Sequence, residues 1–109
     1  MPSVRTVRDV FPAFAGELAD LCRSAARSDL AVQIADLPVV ARCRCGQKNC
    51  AHFYTAPPPD GAYGAGHRNV LLPSKRGLIV IDVVNDRVVG VEVLDRHDVT
   101  EILDAYLPR

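Results

Sequence analysis

A chain of 109 residues that is 49% hydrophobic and 24% charged has the make-up of one ordinary globular domain, long enough to bury a core without disulfides or metal as obligatory staples. Its 13 basic and 13 acidic residues cancel, with Lys48 and Lys75 the only lysines, so no net field draws the chain toward nucleic acid or an anionic membrane. No apolar run approaches the roughly 18 residues of a membrane span, and Arg5, Arg8, Asp9 and Glu17 interrupt the stretch where a secretion signal needs an unbroken apolar core. A cytoplasmic protein with reduced thiols is expected.

In chain order, Phe11, Phe14, Leu18, Leu21, Cys22 and Ala25 recur at helical spacing, with charged residues on the opposite side. This predicts an amphipathic helix capped by Asp9 with Pro12 in its first turn, and makes Cys22 a small buried thiol. The segment SDLAVQIADLP predicts a second, shorter helix with Ser28 as cap and Pro38 as stop. The period then changes to two, and residues 39–44, 50–55, 69–72, 77–84 and 87–94 read as strands. Asn85 and Asp86 tolerate positive φ and so join the last two as a tight hairpin. Pairing Val84 with Arg87 and counting back residue for residue leaves apolar side chains on both faces of that hairpin. Two apolar faces need two covers, so a second copy of the chain is a candidate partner. The segment 95–109 closes the chain with a helix on which Asp98 and Glu101 have capping-box spacing. The expected fold is a single α+β domain: a helix pair, a mainly antiparallel five-stranded sheet and a last helix.

Two segments hold candidate functional groups. The first is RCRCGQKNCAHFYT, residues 42–55. If GQKN is a four-residue hairpin loop, Cys45 faces Cys50 and Cys43 faces His52, and strand alternation puts all four on one face. Opposed side chains about 5 Å apart could then close round one tetrahedral zinc as a Cys3His set. The same geometry also fits reduced thiols turned toward the core, since Val39 and Ala41 share their face while Arg42 and Arg44 share the other. A Cys45–Cys50 disulfide or redox pair is the third reading. Neither an oxyanion donor nor a third orienting group accompanies Cys43 and His52, so no catalytic constellation is recognisable and an enzyme is not expected.

The second segment is the irregular stretch TAPPPDGAYGAGHRN, residues 55–69, in which Tyr63, His67 and Arg68 could grip a protein partner. Its glycines are no phosphate fingerprint, because a strand and not a helix follows them.

Cys43, Cys45, Cys50 and His52 resemble the CxC and CxH pairs of the SWIM zinc-binding domain, which implies structural zinc; the likeness covers only these ten residues, with a shorter gap between the pairs. VVNDRVVGVEVLDR resembles the C-terminal hairpin of a family of small bacterial proteins of unknown function, and that likeness implies no activity. The expected function is a small non-enzymatic interaction module, binding a protein partner or itself, with a structural zinc site. The alternative is a metal- or redox-responsive thiol protein centred on the hairpin.

Overall fold

The computed structural model describes residues 4–109. Helix α1 (Val7–Val10) starts at Thr6, whose hydroxyl accepts from the Asp9 amide while the Asp9 carboxylate accepts from the Thr6 amide. Asp9 is thus the third residue of a capped turn and not itself the cap. The helix breaks at Phe11, where φ is −127°, and restarts as α2 (Pro12–Ser24) with the proline in the first position, where its missing amide costs nothing. Ala26, at φ 60°, turns the chain into α3 (Ser28–Ile34). Arg27 holds the cap position there, and its guanidinium grips Asp29 at 3.0 and 2.9 Å; Ser28 makes no cap.

Five strands follow: β1 (Ala41–Arg42), β2 (Phe53–Tyr54), β3 (His67–Leu71), β4 (Leu78–Val84) and β5 (Arg87–Leu94), then α4 (His97–Tyr106). They form one antiparallel sheet in the order β1-β2-β5-β4-β3, which establishes the α+β class. Strands β1 and β2 are much shorter than their apolar alternation suggested. Asn85 (φ 50°) and Asp86 (φ 64°) make the β4–β5 turn, as their tolerance of positive φ requires. Helix α4 is entered through Arg96 rather than through a capping box: the buried guanidinium holds Asp98 at 3.1 and 3.0 Å and Glu17 of α2 at 2.6 and 2.8 Å, and lies over the Phe14 ring.

The register of the β4–β5 hairpin corrects the residue-for-residue pairing expected from its turn, and with it which residues share each face. Val84 pairs with Arg87 and Val83 with Val88, but Asp82 then pairs with Gly90, so Val89 is an extra residue in β5. Every later pair is displaced by one. Ile79, Ile81, Val91 and Val93 therefore share the face that packs against the helices, joined there by Phe53, Phe11, Leu18, Ile34 and Leu103. The opposite face receives Asp82, Gly90 and Glu92 at its centre, with Val80, the Leu78–Leu94 pair and the exposed Leu71 of β3 beside them.

The strand order also accounts for the long irregular segment. From β2, beside β5, the chain must pass β5 and β4 to reach the far edge at β3. It does so at the end of the sheet where the β4–β5 turn lies, the Asn85 amide donating to the Gly66 carbonyl. On the way it lays Tyr63 onto the face opposite the helices, its hydroxyl above Gly90. No helix among the described residues is long and apolar enough to cross a membrane.

Candidate metal centre

Alternation and pairing assemble the thiol hairpin. Ala41 pairs with Tyr54 and Arg42 with Phe53, and the Cys43 amide donates to the His52 carbonyl at 2.9 Å, so the pairing continues as the spacing required. The turn closes with the Cys50 amide donating to the Gln47 carbonyl, and Gly46 takes φ 77°. As a result the Sγ atoms of Cys43, Cys45 and Cys50 lie within 4.8 Å of one another. All four cysteines, Cys22 on α2 included, are free thiols.

The hairpin does not point its thiols into the main core. Arg42 is the residue that turns inward: its side chain is 3% exposed, and Nη1 donates to Asp104 at 2.6 Å and to the Leu107 carbonyl at 2.8 Å. Because Asp104 and Leu107 belong to the end of α4, packed on the helical face, Arg42 occupies that face and Cys43 takes the other. Cys45 is exposed, Cys43 half-buried and Cys50 buried, an arrangement that the reading as core thiols does not describe. The thiols differ electrostatically as well. The Gln47 backbone amide and then the Cys50 thiol hold the Cys45 thiol below its usual range, whereas burial pushes Cys50 up to about 11. Burial likewise pushes the isolated Cys22 up to about 11.

His52 is next to this group without its imidazole being part of it. The register that pairs Phe53 with Val91 places His52 opposite Glu92 on one side, while Cys43 lies opposite on the other. Its ligand nitrogen falls into a second group, with Asp82 and Glu92, whose atoms also lie within 4.8 Å of one another. His52 Nε2 is 3.8 Å from Asp82 Oδ2. Burial lowers the imidazole pKa against the pull of Asp82, and the ring lies 4.7 Å from that of Tyr54.

Of the groups expected to face a partner, His67 and Arg68 stand in β3, which begins earlier than the pattern of apolar residues suggested. Arg68 is exposed. His67 Nε2 is 2.9 Å from Asp82 Oδ1, and its ring lies 4.6 Å from that of Tyr63. Tyr63 and His67 are thus directed back onto the sheet. Asp82, Glu92 and Gly90 were not singled out in the sequence, although each carried a signal: an acid inside the run LIVIDVV, and a glycine and an acid inside RVVGVEVL.

Beside the thiols is a groove of about 260 Å³ lined by Arg42, Cys43, Arg44, Gly46 and Arg109. Arg109 braces the turn, donating to the carbonyls of Gln47 at 2.6 Å, Lys48 at 3.3 Å and Cys50 at 3.3 Å. Compared with protein-family models, curated proteins and solved structures, the chain matches none of them.

Proposed function

We propose that the protein is a small binding module that holds one soft dication, zinc by preference, on Cys43, Cys45 and Cys50. The observation that carries this reading is the convergence of three thiols within 4.8 Å at a turn, one of them exposed. Thiolates about 2.3 Å from a tetrahedral zinc stand roughly 3.8 Å apart, so the turn needs to contract by about 1 Å or less. The donor set fits a soft or borderline metal, which would stabilise the thiolate form in the same sense as the neighbours that lower the Cys45 pKa. Bound there, the metal would cross-link the turn. His52, the fourth ligand implied by the spacing, turns its Nε2 toward Asp82 and Glu92 instead, so a position is left for water or for a group from a partner. The neighbouring groove contributes Arg44 and Arg109, which suits an anionic segment of a protein partner. A cytoplasmic location is consistent with thiols kept reduced and available to metal.

A second reading is supported by the closeness of the Cys45 and Cys50 thiols, within 4.8 Å, which puts an exposed thiol of lowered pKa beside a buried one. Oxidation of that pair by a disulfide donor, the two thiols losing their protons and two electrons, would make the turn a redox switch. Metal analysis of protein purified without chelator, paired with thiol titration after denaturation, separates the two. About one zinc and four thiols per chain is the expected result. No metal with four thiols overturns the proposal, and no metal with two thiols missing transfers support to the disulfide.

A further inference from the structure

Three polar atoms with no hydrogen-bond partner converge on the face opposite the helices: Asp82 Oδ2, His52 Nε2 and the Tyr63 hydroxyl, each shielded from solvent. The Asp82 side chain is 3% exposed and that of His52 16%. They meet over Gly90, where an added Cβ would come within 3.2 Å of the Tyr63 hydroxyl and 3.5 Å of His52 Nε2. Burying a carboxylate oxygen, an imidazole nitrogen and a phenol without partners is costly, which argues that something else satisfies them. Glu92 completes the set, diagonal to Asp82 and opposite His52.

We infer that His52, Asp82 and Glu92 form a second metal centre, distinct from the thiols, which takes a first-row dication such as manganese, iron(II), cobalt or zinc. Its donors are one imidazole and two carboxylates, a set that suits those ions better than calcium or magnesium. Two carboxylates and a neutral imidazole balance a dipositive ion, which removes the like-charge conflict that now sets Asp82 against Glu92. The 3.8 Å between His52 Nε2 and Asp82 Oδ2 is within the ~4.2 Å that two ligands about 2.1 Å from one ion can span. His67 supplies the outer support found round such ions: its contact with Asp82 Oδ1 at 2.9 Å holds the carboxylate with Oδ2 turned to the centre. Tyr63, its ring tilted against that of His67, brings an unpartnered hydroxyl over Gly90. Gly90 leaves the room that any other residue would fill.

The proposal does not depend on the thiol site, because manganese(II) is a hard enough ion to favour the nitrogen and oxygen donors over thiols. Metal-free wild-type protein is titrated with Mn2+ and the free ion followed by electron paramagnetic resonance. The expected result is one Mn2+ per chain bound at submillimolar concentration, with Asp82→Asn and the milder His52→Gln each weakening binding by more than tenfold. Circular dichroism of both variants checks that they fold, and His52→Gln decides the matter if Asp82→Asn does not. Absence of Mn2+ binding by the folded wild-type protein, or unchanged binding by the folded variants, overturns the inference. In either event, Co2+ added afterwards reports the thiols independently through the thiolate-to-metal charge-transfer band.

Discussion

Glu92 is the residue whose replacement should improve the metal-free protein. Burial, and then the neighbouring Asp82 carboxylate, raise its pKa from 4.5 to about 7. The native state therefore keeps a proton that the unfolded chain releases at lower pH, and unfolding free energy falls as the pH rises from about 4.5 to about 7 and stays low above that. At 1.36 kcal/mol per unit the penalty has a ceiling of about 3 kcal/mol, cut to roughly 1–2 kcal/mol because Glu92 is half-buried and water screens its charge. Glu92→Gln removes the charge at nearly constant shape. In urea denaturation with chelator present, the variant should exceed the parent by roughly 1–2 kcal/mol at pH 8, which corresponds to a rise in Tm of about 5–10 °C for a domain of this size. At pH 5 the two should agree within about 0.5 kcal/mol. A variant less stable than the parent at pH 8, or a difference of equal size at both pH values, would refute the picture of two carboxylates in conflict. Adding Mn2+ at pH 8 should reverse the order, because only the parent retains both carboxylates for the ion.

Arg42→Met strips Asp104 and the Leu107 carbonyl of their buried donor and should cost about 2–3 kcal/mol by urea denaturation, Asp104 being partly open to water; a loss under about 1 kcal/mol would mean that the β1–α4 clamp is not structural. Iodoacetamide at pH 8 should label Cys45 well before Cys50 or Cys22, as read by peptide mass spectrometry, because Cys45 alone combines exposure with a lowered pKa; equal rates would contradict the assigned environments. Gly77→Ala should destabilise by about 1–3 kcal/mol, since Gly77 has φ 71° and an added Cβ would stand 2.4 Å from the Leu94 carbonyl oxygen; an unchanged urea midpoint would show that the β3–β4 connection relaxes freely.

Local rules carried the reading of the sequence a long way where one neighbour decides the outcome. Asn85 and Asp86 announce their turn because few residue types accept positive φ, and the four-residue loop fixes that Cys43 faces His52 whatever lies around it. Legibility ended where a distant residue outvotes a local one. Alternation alone could not tell which face of the thiol hairpin is inward, because Arg42 is drawn in by Asp104, 62 positions later. Counting along the β4–β5 hairpin assumed one residue opposite one, and the single extra residue Val89 exchanged the partners of an entire strand. That exchange moves Glu92 and Gly90 onto the face of Asp82, and so the second candidate centre, assembled from the residue before β2, from β4 and β5 and from the segment before β3, has no contiguous motif to betray it.

The two arginines that frame the thiol turn set an order of events for a chain that folds as it is made. Arg42 waits for Asp104 and Leu107, and the carbonyls of Gln47, Lys48 and Cys50 wait for Arg109, about 60 positions away in every case. Contacts so far apart in sequence close slowly and late. The turn is therefore braced only after α4 has docked, so a metal held there as proposed would be held most firmly by the completed domain.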